Sequence, residues 1–175
     1  IPGNVGDQAY GGFSWPETKG DDRYRRGMYT FWKRSLPFPT MLAFDAPAAE
    51  NSCTRRLRSN TPLQSLTTLN EKTFVETAQA MALRVIKEGG ADERARATYA
   101  CRLCMARPPT ARELDALMKF WQEQFDYFEN RTAAAANVAL SDPKQLPPDV
   151  NLHKVAAWAM VSRAILNLDE TFTKE

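Results

Sequence analysis

Two fully written helix starts constrain this chain more than any other feature. Asn60-Thr61-Pro62-Leu63-Gln64 offers a capping threonine, a proline suited to the first helical position and a glutamine able to reach back to the cap. Thr110-Ala111-Arg112-Glu113 is a capping box of the same form. The stops are as plain: Pro37 and Pro39, Gly89-Gly90, and Pro108-Pro109. Between starts and stops the apolar residues recur at helical spacing, and no segment has the strict alternation of a strand. The pattern predicts an all-α fold, an irregular bundle of about six or seven helices with no internal repeat.

In chain order, residues 1–22 are rich in Gly and Pro with Tyr10, Phe13 and Trp15 among them. They have no helical or strand period and read as an extended arm that packs on the body or on a part outside this chain. Residues 23–175 read as the helical domain. Tyr24, Met28, Phe31 and Trp32 fall at helical spacing, with Gly27 weakening that helix by about 1 kcal/mol. Phe38 to Pro47 reads as a compact turn in which Asp45 can accept backbone N–H groups.

A helix runs from Pro62 to Leu69, and Asn70 is positioned to cap the next, whose stripe is Phe74, Val75, Ala78, Met81, Ala82 and Val85. Asp92 opens another, with Ala97, Ala100, Cys101, Cys104 and Met105 on one face. Behind Thr110, Leu114, Leu117, Met118, Trp121, Phe125 and Phe128 line a long helix, which the alanines at 133–136 extend to Leu140. Ser141 to Asp149 is a loop, and Leu152 to Leu168 is the last helix, with Val155, Ala159, Ser162, Ile165 and Leu166 inward.

The charge is uneven. From Arg23 to Asn60, eight basic residues face only Asp45 and Glu50, giving +6 and leaving −4 for the rest of a chain whose total is +2. Within that stretch Trp32, Lys33, Arg34, Asp45, Arg55, Arg56, Arg58, Asn60, Thr61 and Gln64 form the candidate interface or anion site. Guanidinium forks bind carboxylates, phosphates and sulfates, and the free N–H groups at a helix start favour the same ligands. The default is internal pairing of Arg55, Arg56 and Arg58 with Asp21, Asp22, Asp45 or Glu50. The near-neutral total argues against nucleic acid, and no apolar run reaches the roughly 18 residues of a membrane span.

No residue pattern spells out a reaction. One histidine, His153, would have to serve any Ser-His or Cys-His mechanism, and there is no G-x-S-x-G elbow. It reads as a surface or capping residue. The acidic pairs Asp21-Asp22 and Asp169-Glu170 sit at element ends, where solvation and helix dipoles account for them. Cys101-Arg-Leu-Cys104 is followed by Met105, so the haem-attachment signature fails and no cofactor is expected in this chain. Cys101 and Cys104 read as buried free thiols. A disulfide from Cys53 to one of them is an alternative, and a zinc set of Cys53, Cys101, Cys104 and His153 is a weaker one.

Three runs, YRRGMYTFWKRSLPFPTMLAFDAP, CTRRLRSNTPLQSLTTLN and the closing AILNLDETFTKE, resemble one family from about Asp22 to Glu175. It is the domain of unknown function at the C-terminal end of large exported Planctomycetes-type proteins, downstream of a planctomycete cytochrome c domain and a second uncharacterised domain. Gly27 and Asn51-Ser52 depart from its pattern. The resemblance implies the C-terminal portion of a multidomain parent, exported to a periplasmic or cell-surface location, with haem on a separate cytochrome c domain in some relatives. It carries over no catalytic residue.

The expected function is therefore a non-catalytic helical module that packs against upstream domains of its parent, within the same chain or as a separate one. One alternative is part of an enzyme or binding domain acting on polysaccharide or another anionic polymer. Another is a docking module that brings the cytochrome c domain to its redox partner.

Overall fold

The computed structural model describes residues 18, 20–32, 37–47, 52–55, 59–141 and 146–173. Among them are eight α-helices, α1 (Pro39–Ala43), α2 (Pro62–Asn70), α3 (Lys72–Glu88), α4 (Glu93–Met105), α5 (Ala111–Glu129), α6 (Thr132–Ala139), α7 (Leu152–Leu166) and α8 (Asp169–Phe172). There is no strand among the described residues. The all-α expectation is met. Six of the helices have seven residues or more, and α1 and α8 are single turns.

The chain forms two compact units, Ile1–Thr73 and Phe74–Glu175, divided within the first turn of α3. Sequence reading had placed its only boundary after residue 22. Residues 1–17 of the expected arm lie outside the described residues.

In the first unit the helix expected across Tyr24 to Trp32 is absent. Two short 3-10 turns, Gly20–Tyr24 and Gly27–Tyr29, take its place. A helix of nine residues is marginal without packing, and this one would bury little: Tyr24, Met28, Tyr29 and Phe31 are 54%, 70%, 65% and 64% exposed, and Trp32 is half-buried. The compact turn expected from Phe38 to Pro47 contains α1, with Pro39 at its first position, and ends at Asp45 in the left-handed region at φ +49°. α1 packs on α2, whose capping box forms as its sequence specifies.

Asn70 does not cap α3. It is the last residue of α2, and its amide donates back to the Leu66 carbonyl at 2.9 Å. Glu71 supplies the cap, its carboxylate accepting from the Thr73 N–H at 3.0 Å. One residue of register decides between the two, and the longer acidic side chain reaches the free donors at the start of α3.

The second unit is arranged around α7, which packs on α5 and α6. Val155, Ala156, Ala157, Trp158, Ala159, Val161 and Ile165 are fully or almost fully buried along it. The main core adds Ala82 and Val85 from α3, Ala97, Ala100, Cys101 and Met105 from α4, and Trp121 from α5. Trp121 stacks on Phe125 at 5.3 Å and meets Trp158 at 6.4 Å. A second cluster joins Phe128, Ala135, Ala139, Leu140, Val155 and Ala156.

The chain turns from α3 into α4 at Gly89, where a Cβ would stand 2.5 Å from the Val85 carbonyl and 2.9 Å from the Arg96 Cα. Only glycine fits that approach. Asp92 caps α4, accepting from the Ala95 N–H at 2.8 Å, and Ala106 ends it at φ +60°. The alanine run does not extend α5. The long helix stops at Asn130, and α6 starts afresh at Thr132. The final helix likewise ends at Leu166, two residues short of the expectation, because Asn167 and Leu168 turn the chain into α8.

Candidate functional site

Of the candidate residues, Asp45, Thr61 and Gln64 come together in the first unit at the start of α2. Thr61 Oγ1 accepts the Gln64 N–H at 3.3 Å, and Gln64 Oε1 accepts the Thr61 N–H at 3.3 Å. The Gln64 amide then donates to Ser59 Oγ at 2.8 Å and to Asp45 Oδ2 at 3.3 Å. Gln64 is 7% exposed, so its carboxamide is spent inside the protein. It ties the turn after α1 to the helix that begins at Pro62.

This gives Asp45, Thr61 and Gln64 an internal task. The mouth of α2 is occupied by its own capping box with the Asp45 carboxylate beside it. A second anion there would meet like charge, so the cations rather than the helix start must hold any ligand.

Of those cations, Lys33, Arg34, Arg56 and Arg58 lie outside the described residues, as does Glu50. Arg55 and Asn60 are exposed. Among the described residues Arg55 makes no ion pair with Asp21, Asp22 or Asp45; Asp22 instead pairs with Arg25 at 2.8 Å. Two guanidiniums lie over exposed rings, Arg23 over Tyr24 at 5.2 Å and Arg25 over Tyr29 at 5.7 Å. Trp32 is half-buried, and its indole N–H has no acceptor among the described residues.

Buried against these contacts there is little that is apolar. The described side chains that the first unit buries are Gln64 and Thr68, both polar. Leu42, Leu63 and Leu66, at 50%, 58% and 59% exposure, join the exposed Tyr24, Met28, Tyr29 and Phe31. Basic groups and apolar surface therefore share one unit.

The second unit holds two charged clusters that sequence reasoning missed. Glu93, at the first turn of α4, accepts from Trp158 Nε1 at 2.8 Å, Lys154 Nζ at 3.0 Å and Arg96 at 2.7 Å. It satisfies the indole of the most buried large side chain. Arg107, between α4 and α5, grips Glu113 and Glu170 at once with contacts of 2.6 to 2.9 Å. The Arg107 guanidinium and the Thr110 donors hold the Glu113 carboxyl down at about 2. Glu113 was legible as a cap, but nothing local points to Glu170, 57 positions further on.

The three cysteines are free thiols. Burial pushes the Cys101 thiol up to about 11, which keeps it protonated and unreactive at neutral pH. The Cys104 S–H faces Met81 Sδ at 3.6 Å. His153 Nε2 lies 3.4 Å from Thr132 Oγ1. Among the described residues no three of His, Cys, Asp and Glu converge to hold a metal ion, Cys53, Cys101, Cys104 and His153 included. None of the described helices is long and apolar enough to cross a membrane.

The fold and its polar clusters thus define a helical module whose charged groups, where their partners are described, are largely occupied with one another. The chain belongs to the PSD1 family, described as protein of unknown function (DUF1553), whose model matches residues 4–121. That match takes in the whole first unit beyond its first three residues and stops midway along α5. It starts earlier and ends earlier than the resemblance read from the three sequence runs. No curated protein and no solved structure matches the chain.

Proposed function

We propose that this chain is a non-catalytic docking module of a large exported multidomain protein, seated through its first unit on the upstream part of its parent. The observation that carries the reading is the mismatch in that unit. It leaves Tyr24, Met28, Tyr29, Phe31, Leu42, Leu63 and Leu66 exposed while its described buried side chains are polar. Exposed apolar surface in that amount marks an interaction face. Export, a planctomycete-type parent and an upstream cytochrome c domain come into the reading from the three sequence runs. In the electron-transfer version the docked part is that cytochrome domain, and any haem belongs to it.

A second reading has its own support. Guanidiniums over exposed rings at Tyr24 and Tyr29 are the arrangement that grips a uronic-acid or sulfated polymer, with rings for sugar faces and forks for acid groups.

Replacement of Arg23, Arg25 and Arg55 together by Gln separates the two. The docking reading predicts no binding of heparin or polygalacturonate to either protein in calorimetry. A folded triple variant that loses a binding shown by the unmodified chain establishes the polymer groove instead.

A further inference from the structure

α8 is a single turn, far too short to persist alone in water. None of its residues is buried, and Leu168 and Phe172 are 43% and 44% exposed. It stays in place through a few directed contacts. Its Glu170 carboxylate accepts from Arg107 Nε and Nη2, each at 2.6 Å. The Phe172 ring meets Phe74, in the first turn of α3, edge-on at 6.3 Å. Thr171 Oγ1 donates to the Ile165 carbonyl at 2.7 Å. α8 packs on α4, whose fully buried Cys101 lies close enough to Glu170 to feel its charge.

Arg107 is shared. Its Nη1 and Nη2 also donate to Glu113 at 2.9 and 2.8 Å, and Nη1 reaches the Pro108 carbonyl at 3.1 Å. If Glu170 departs, the guanidinium keeps a bidentate carboxylate partner. The departing carboxylate, 42% exposed already, moves into water. Neither half is left as an unpaired buried charge, the circumstance that makes most ion pairs hard to break. Segments with few buried apolar contacts open well below the cost of global unfolding.

We propose that α8 is a strap that opens as a unit about Leu168, with Arg107 as the catch that holds it over α4 and the first turn of α3. Leu168 is extended, at φ −70° and ψ 140°, between α7 and the strap, which places the pivot there. Opening bares the α4 face around Cys101 and frees Phe74 from Phe172. The module thus has a closed and an open form at its C-terminal end, and any group that competes for Glu170 or Arg107 shifts the balance between them.

The test is pulsed iodoacetamide labelling of the full chain under native conditions, read by peptide mass spectrometry beside hydrogen exchange. Exposed Cys53 serves as the internal control. Glu170→Gln weakens the catch without a cavity, and Phe172→Ala removes the second anchor without touching charge. Both should raise Cys101 labelling by about tenfold and speed exchange at residues 72–77 and 169–173, with α5 and α7 unchanged. Unchanged Cys101 labelling in both variants overturns the proposal. So does faster exchange spread evenly through α5 and α7, which would mean that the substitutions merely destabilise the whole unit.

Discussion

Gln79 is 4% exposed on an otherwise apolar face of α3, and both ends of its carboxamide are bonded. It donates to the Val138 carbonyl at 3.0 Å and accepts from the Ser141 N–H and hydroxyl at 3.0 and 2.8 Å. These bonds close the C-terminal end of α6. Replacing Gln79 by Leu keeps the volume but strands two backbone groups, and should cost about 2 kcal/mol in urea unfolding. Its neighbours Ala78 and Ala82 were visible in the helical period. Its purpose was not, because its partners lie 59 and 62 positions away. Gln64 shows the same division. Its reach back to Thr61 could be read from the capping box, whereas Ser59 and Asp45 join it only through the turn that the fold makes after α1.

At the scale of the element, most helix starts were legible, Asn70 excepted, and several extents were not. Thr61, Asp92 and Thr110 all cap as their local sequences specify, since a cap is decided within four residues. Thr110→Ala should accordingly cost about 1 kcal/mol in thermal or urea unfolding. The break at Asn130-Arg131 was missed because alanine favours helix whatever its neighbours do, while tertiary packing sets where α5 ends and α6 begins. The turns at Gly20–Tyr24 and Gly27–Tyr29 failed for the opposite reason: the period was right, but of its stripe only Trp32 is even half-buried.

The Arg107 clamp adds a pH dependence at this scale. The Glu113 carboxyl is depressed from its ordinary 4.5 to about 2, first by Arg107 and then by the Thr110 donors. A depressed carboxyl contributes stability that is complete above its unfolded value and is lost as pH falls towards its folded one. The stability difference between the unmodified chain and Glu113→Gln should therefore be constant from pH 7 to about 5 and shrink towards zero near pH 2. A difference that does not change with acid would show that Glu113 acts through neutral hydrogen bonds alone.

Over the whole molecule, the two units differ in what holds them. The second has two apolar clusters around α7; the described part of the first has a polar hub and several exposed apolar side chains. Hydrogen exchange in α2 should then run faster than in α7 by orders of magnitude, since local opening needs little more than the loss of the Gln64 network. The division at Thr73 was not legible, because a helix crosses it and no Pro- or Gly-rich linker marks it. The all-helical class was legible throughout, as were most of the apolar positions that form the core of the second unit. The basic cluster could be found from charge alone, but its partners could not, since charge counts say nothing of which acids fold beside which bases.

The proposed docking of the first unit on an upstream part of a longer parent is tested most directly by native mass spectrometry. This chain and that upstream part, prepared as separate polypeptides, would be mixed under non-reducing conditions. The account predicts a one-to-one complex that is lost on Tyr29→Ser with Phe31→Ser, in a variant whose second unit keeps its hydrogen-exchange pattern. A chain that stays a bare monomer of 19.7 kDa beside its parent's upstream part would contradict it.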